Sequence, residues 1–283
     1  MKALIILFLT IAVFGGAALV GYKFFIQPQI ALKKEKDLPP PPAPPDPTVP
    51  EFNKCVAVRK SGKVVEARDA LYSFIEHYPE SSKIDDAKNL LGDLNTDIIL
   101  STMAAPEKQI YIVQKGDVIG RVASRNKTTG ELLMRANNLQ GPMLRIGQKL
   151  SIAPADFSLV ISRKHEKVTV LNKGRFFKQY PVLEWPPAYA KKTGPTIKVA
   201  AADKKAGKVT DKISWLNGTR VTFMEKGYLN STHWIQINIK ECTLHSVAEE
   251  HGQKPTGGGI RLTPDALDEL DAILAKGDPV TLE

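Results

Sequence analysis

Eight of the twelve residues from 39 to 50, PPPPAPPDPTVP, are proline. Proline lacks the backbone N–H and fixes φ, so this stretch can join neither the interior of a helix nor a sheet. It is expected as an extended polyproline II spacer, about 3.1 Å per residue and roughly 35–40 Å long. Such a run reads as a stiff spacer, the alternative being a ligand for a proline-binding domain. Ahead of it, residues 3–22, ALIILFLTIAVFGGAALVGY, carry no charge. Twenty largely apolar residues at about 1.5 Å each reach across a bilayer core of about 30 Å. A signal-peptide core is shorter, about 7–15 residues, and no clean small-residue cleavage site precedes Lys23, so a retained anchor is expected rather than a cleaved leader. No cysteine lies near this run for lipid attachment. The expected organisation therefore opens with a membrane helix over 1–25 and a proline-rich linker over 26–53.

The rest of the 283-residue chain holds both cysteines, Cys55 and Cys242. Two are too few for a disulfide scaffold or a four-cysteine zinc site, and leave room for one disulfide or none. Residues 54–104 read as a helical hairpin. Val65, Ala70, Leu71, Phe74 and Ile75 recur at helical spacing, Tyr78-Pro79-Glu80-Ser81 breaks the run, and Ile84, Ala87, Leu90, Leu91 and Leu94 form a second apolar face. The unit resembles a tetratricopeptide-type hairpin. One such unit cannot bury both faces alone, so it is expected to pack on a neighbouring element or on an envelope partner through residues 54–101.

Residues 107–154 follow the order β-α-α-β. Gln109–Val113 has strand propensity, Gly116-Asp117 is a turn signal, Ile119, Val122 and Ala123 suit a short helix, Thr129 can cap a second, and Lys149–Ile152 closes as a strand. The joint spacing of Tyr111-x-Val113-x-x-Gly116-Asp117-x-Ile119, Leu132-x-x-x-Ala136-Asn137-Asn138-Leu139 and Leu144-x-Ile146-Gly147-Gln148-Lys149-Leu150 resembles a LysM domain. The resemblance implies binding of N-acetylglucosamine-containing glycans such as peptidoglycan. The implied groove lies between two loops, with candidate contacts Gly116, Asp117, Val118 and Ile119 on one side and Leu139, Gly141, Pro142, Met143 and Ile146 on the other. Taken singly, Gly116, Asp117 and Asn137 are also ordinary turn formers.

Residues 157–283 carry many short strand signals: 159–162, 167–171, 176–182, 220–223 and 234–239, with Asn172-Lys173-Gly174-Arg175 as a hairpin turn. A helix follows, with Thr263 as N-cap, Pro264 at its first position and Leu267, Leu270, Ile273 and Leu274 on its buried face. Leu244-His245-Ser246 after a Trp-Ile-x-Ile strand, Thr256-Gly257-Gly258-Gly259-Ile260-Arg261-Leu262, and the tail to Val280-Thr281-Leu282 together resemble an L,D-transpeptidase catalytic domain. That resemblance implies a histidine-activated cysteine acting on peptidoglycan stem peptides. Here the family's Ser/Thr-His-Gly-Cys run reads Thr256-Gly257-Gly258-Gly259. Glycine has no side chain to attack a carbonyl, and acyl transfer needs an activated nucleophile beside its base. The matching positions His245, Thr256, Gly257, Gly258, Gly259 and Arg261 are thus expected to be non-catalytic. Cys242 is the alternative nucleophile, although three residues from His245 in an extended strand it falls on the opposite face. Cys242, His245 and His251 match no standard zinc spacing, so neither metal nor cofactor is expected.

Charge is unevenly placed along a chain of net +9: residues 163–226 hold fifteen Lys/Arg against five Asp/Glu, 107–154 eight against three, and 227–283 four against nine. A basic surface attracts any polyanion, but no nucleic-acid-binding motif accompanies it, so nucleic acid is not an expected partner. The fold class expected is multidomain: an N-terminal membrane helix, a tetratricopeptide-like α-hairpin, a small βααβ LysM domain and a mainly-β L,D-transpeptidase-like domain. The expected function is non-covalent peptidoglycan binding in the bacterial envelope, the anchor in the membrane and the C-terminal domains outside the cytoplasm. The alternatives are an active L,D-transpeptidase using Cys242 and an interaction protein working through the hairpin.

Overall fold

The computed structural model describes residues 15–16, 20–29, 46–189, 204–246 and 258–283. The chain divides into two units, Met1–Asp46 and Pro47–Glu283. In the first, Tyr22–Ile26 is helical and Phe24, Phe25 and Ile26 are exposed. Most of the apolar run 3–22 and of the proline run lies outside the described residues. Among those described, no helix is long and apolar enough to cross a membrane.

The second unit opens with three helices, where sequence periodicity points to two. Helix α1 (Val49–Lys60) starts inside the stretch read as linker. Proline is tolerated in a helix's first turn, where its missing N–H has no intrahelical partner, so Pro50 begins this helix instead of ending the spacer. Helix α2 (Val64–His77) stops at Tyr78, ahead of Pro79, and α3 (Ile84–Ile99) returns antiparallel to it. Cys55 of α1, Ala67, Leu71 and Phe74 of α2, and Ala87, Leu91 and Leu94 of α3 form their shared core.

Strands β1 (Gln109–Ile112) and β2 (Lys149–Ile152) make an antiparallel ribbon. Packed against it are helices α4 (Ile119–Arg125) and α5 (Gly130–Ala136), the latter capped by Thr129, whose hydroxyl accepts the Leu132 N–H. The free edge of β2 is closed by one side chain. Asn137 accepts the Ser151 N–H at 2.7 Å and donates to the Ser151 carbonyl at 2.9 Å, replacing a missing strand.

The remaining strands are β3 (Phe157–Ser162), β4 (Lys167–Asn172), β5 (Arg175–Pro181), β6 (Lys205–Leu216), β7 (Thr219–Val221), β8 (Thr232–Ile237), β9 (Thr243–His245), β10 (Gly259–Arg261) and β11 (Pro279–Leu282), with helix α6 (Pro264–Ile273) before the last. Among the described residues they form one sheet in the order β10-β9-β8-β6-β11-β3-β4-β5, with β7 paired to β6. The expected β4–β5 turn is present, with Lys173 and Gly174 both at positive φ as a primed hairpin turn requires. Strand β6, the longest, has no counterpart among the sequence expectations, because Gly207, Asp211 and Lys212 interrupt its apolar alternation. Its first residues pair with β11 and its remainder with β8, across a register shift between Val209 and Asp211. A bulge bends a strand and sharpens its twist, which lets this one serve two partners.

Both sheet edges are covered. At β10, the Arg261 N–H donates to the Glu184 carbonyl and the Leu183 N–H to the Arg261 carbonyl. At β5, the helices supply the partners: Tyr72 donates to the Phe176 carbonyl at 2.9 Å and Asn95 to the Phe177 carbonyl at 2.7 Å. Arg175 stacks 3.7 Å from the centre of the Tyr72 ring, and Gly92 leaves room for Lys178, which would lie 2.8 Å from a Cβ there. The hairpin therefore spends one face on its own chain.

The βααβ unit is held to the sheet through a buried polar seam. The Lys212 ammonium lies 2.8 Å from Glu131 of α5 and donates to the Asp271 carbonyl at 2.6 Å. Tyr228 donates to the Asp271 carboxylate, and Thr129 to the Ala272 carbonyl. Burial and the adjacent Asp271 charge push the Tyr228 hydroxyl pKa upward. Phe223 sits on Gly130, where a Cβ would lie 2.5 Å from its ring.

Replacing Asn95 by Ala leaves the buried Phe177 carbonyl without its donor, which costs about 1–3 kcal/mol. Urea denaturation of Asn95→Ala is expected to show a midpoint lowered accordingly, with the slope unchanged.

Candidate functional site

Two regions carry the sequence-predicted residues. The first is the loop end of the β1–β2 ribbon. The Val113 N–H donates to Gln148 and the Gly147 N–H to Val113, at 2.9 and 2.8 Å. These bonds bring the loop after β1 and the loop before β2 to one end of the ribbon. Gly116 takes φ +86° and Gly147 φ +80°, the left-handed turn conformation that glycine adopts without steric cost. Asp117 shapes the first loop: its carboxylate accepts from the Tyr111 hydroxyl at 2.7 Å and from the Gln114 N–H at 2.8 Å. The backbone N–H and the hydroxyl hold its pKa below the ordinary carboxylate value.

The candidate glycan contacts then separate. Val118, Met143 and Ile146 are exposed by 49%, 88% and 72%, a concentration of large apolar side chains at one end of a small domain. Gly141 and Pro142 are partly exposed beside them. Ile119 is fully buried and Leu139 packs on the same core. The Ile119 and Leu139 side chains thus pack beneath the loops, on the core that holds Leu150 and Ile152.

The second region is the end of the sheet at β8, β9 and β10. In the registers Trp234↔His245 and Arg261↔His245, three side chains share one face across three strands. His245 is buried. Gly259 pairs with Thr243, and a Cβ at 259 would lie 2.7 Å from His245 Nε2, closer still to the ring's Cδ2 and to the Thr243 carbonyl oxygen. Real Cβ contacts do not come this close, so the imidazole edge occupies the space a side chain at 259 would need. Arg261 Nε is 3.0 Å from Glu184. Gly258, at φ +84°, turns the chain into β10. Thr256, Gly257 and His251 lie outside the described residues.

Cys242 precedes β9 and is fully buried in the main core. Burial pushes its thiol to about 11. Its neighbour is Tyr189, whose hydroxyl donates to the Lys240 carbonyl at 2.9 Å and is itself pushed to about 12, by burial first and by Cys242 second. Cys55 is buried as well, and both cysteines are free thiols. Among the described residues, no group of three or more His, Cys, Asp or Glu side chains is arranged to hold a metal.

Sequence reasoning missed Trp234, Tyr189 and Glu184 as neighbours of this region. Period-two alternation along Trp234-Ile-Gln-Ile could have placed Trp234 on the His245 face once the register was known. Tyr189 and Glu184 reach it from distant sequence, and no local signal marks them.

Residues 111–153 match the LysM domain family, and the chain contains a LysM domain there. Solved structures that the chain resembles are L,D-transpeptidases. That of Mycobacterium smegmatis shares 14% identity over 49% of this chain and 64% of its own, with a TM-score of 0.29. That of Stackebrandtia nassauensis shares 19% over 46% and 57%, also at 0.29. A mutant enzyme of Enterococcus faecium shares 13% over 69% and 83%, at 0.28. The chain spans less than two thirds of the length of the first two.

Two outcomes follow for the sulfur chemistry. Gly259→Cys forces the new Cβ against His245 and is expected to destabilise the fold by roughly 1–3 kcal/mol, the cost of overpacking, read as a lower melting temperature. In the folded chain, iodoacetamide at pH 8 is expected to leave Cys242 unmodified by intact mass. Thiolate is the reactive form and a pKa near 11 leaves little of it, so labelling should rise with pH towards 11 and become complete on unfolding.

Proposed function

We propose that this chain is an envelope protein that binds peptidoglycan without breaking or forming bonds in it. Its LysM domain is the primary contact, and its transpeptidase-like domain serves as a binding or scaffolding surface. The observation that carries this reading is the LysM domain with its solvent-facing Val118, Met143 and Ile146 around two adjoining loops. Loop backbone amides suit N-acetyl groups, and exposed apolar side chains suit sugar faces. The apolar run 3–22 would anchor the chain in a membrane, and the proline spacer would carry Pro47–Glu283 outward from it.

The non-catalytic reading of the second domain rests on Gly259, where the resembling enzymes keep a cysteine, and on the contact between Gly259 and His245. Burial of Cys242 in the core speaks against its use as a substitute nucleophile. For the hairpin, the bonds from Tyr72 and Asn95 to β5 support a structural role before any partner is invoked.

The test is retention on purified sacculi. The full chain is expected to sediment with them, and Ile146→Asp, an exposed position away from the core, to lower retention at least fivefold. A chain that stays in the supernatant would end this reading. A carbapenem adduct found by intact mass on Cys242 would replace it with the enzymatic one.

A further inference from the structure

Strand β1 keeps one edge unpaired. Asn137 bonds the N–H and C=O of Ser151, so that residue turns its backbone away from β1. In an antiparallel ladder such a residue faces one that also turns away, and its register partner is Ile110. Val113 bonds across to Gln148, and by the same alternation Ile112 turns outward with Ile110. Two N–H and two C=O groups thus point off the ribbon, and no partner meets them among the described residues. The Ile110 and Ile112 side chains beside them are 63% and 55% exposed. Tyr111 and Val113 face the core on the other side.

An open edge is ordinarily blunted by a charge, a proline or a bulge. Gln109–Ile112 carries none of these. The edge can therefore accept an added strand, whose backbone would satisfy the four outward groups and whose alternate side chains would lie beside Ile110 and Ile112. Charge selects the kind of strand. The three carboxylates of residues 107–154 are engaged, Glu107 with Arg68, Asp117 with Arg125 and Glu131 with Lys212. Lys115, Arg121, Lys127, Arg145 and Lys149 have no ion pair among the described residues. Lys149 is exposed opposite Ile112 in the register, and Lys115 is exposed three residues beyond Ile112. A second copy of the chain would bring two such cationic domains edge to edge, whereas an acidic segment is attracted.

We propose that the edge of β1 takes up an extended, acidic segment of a partner protein as an added strand. Apolar residues at alternate positions of that segment would lie against Ile110 and Ile112, and its carboxylates near Lys115 and Lys149. The surface uses none of the loop residues assigned to glycan and does not depend on the function proposed above.

The probe is a fluorescein-labelled, amidated peptide, Glu-Glu-Val-Thr-Val-Thr-Val-Glu-Glu, titrated with the full chain and read by fluorescence anisotropy. A counterpart N-methylated at the five central residues keeps the charge and the side chains but lacks the strand's donors. The first is expected to bind, and the second about tenfold more weakly. Ile110→Pro removes an outward N–H without breaking a bond to β2, and is expected to weaken binding of the first about tenfold while leaving retention on sacculi unchanged. Lys149→Glu is expected to weaken it about threefold, and Lys60→Glu, at the exposed end of α1, to leave it unchanged. Circular dichroism establishes that the variants are folded. Equal binding of the two peptides, full binding by Ile110→Pro, or no binding at all overturns the proposal. Self-association of the full chain in analytical ultracentrifugation, lost in Ile110→Pro, would replace the acidic partner with a second copy.

Discussion

Strand β6 is the constraint on which the larger domain depends. Buried backbone groups must be paired, and a strand placed between two halves of a curved sheet must pair on both sides while changing direction. The register shift between Val209 and Asp211 accomplishes this: Lys205–Lys208 bond to β11, and the residues from Val209 onward bond to β8. Gly207 lets the chain pass close to Asn238 and Ile239, where a Cβ would lie 2.6 Å from either side chain. The same strand sends Lys212 into the seam with Glu131, so the strand that organises the sheet also fixes the LysM domain upon it.

Edge control is the second theme. Exposed strand edges invite pairing with other chains, and each end of this sheet is covered from within the chain, by Glu184 at β10 and by the helical hairpin at β5. The hairpin's Tyr72 and Asn95 bond the sheet edge as a further strand would. In the small βααβ domain, Asn137 does the same for β2 with a single amide.

The closeness of Gly259 and His245 leaves no room for a side chain at 259. Parallel pairing of β10 with β9 places residue 259 beside Thr243 and under the imidazole edge. With glycine at 259 the ring lies where a Cβ would be, so a cysteine placed there would require His245 to move as well. The Gly259→Cys variant therefore probes packing as much as chemistry.

Local signals made much of the fold readable. Thr129 and Thr263 cap the helices expected of them, Lys173-Gly174 makes the expected turn, and the spacing of Tyr111, Gly116, Asp117 and Asn137 marks the LysM domain, because caps, turns and short-range spacing are encoded by neighbours in sequence. Helix α1 was hidden by the proline that begins it, and β6 by the glycine and charges its bulge accommodates. At the candidate sites, chain order placed His245 and Gly259 on neighbouring elements and named the loops of the LysM groove. It did not distinguish Ile119 and Leu139, which face the core, from Val118 and Ile146, which face solvent. Nor did it foresee Tyr189 beside Cys242, or the open edge of β1. The sequence by itself determined residue types, turns and caps. Only the tertiary structure decided which face each residue presents and which distant residues meet there, because strand register, bulges and docking are fixed by pairing and packing between segments far apart in the chain.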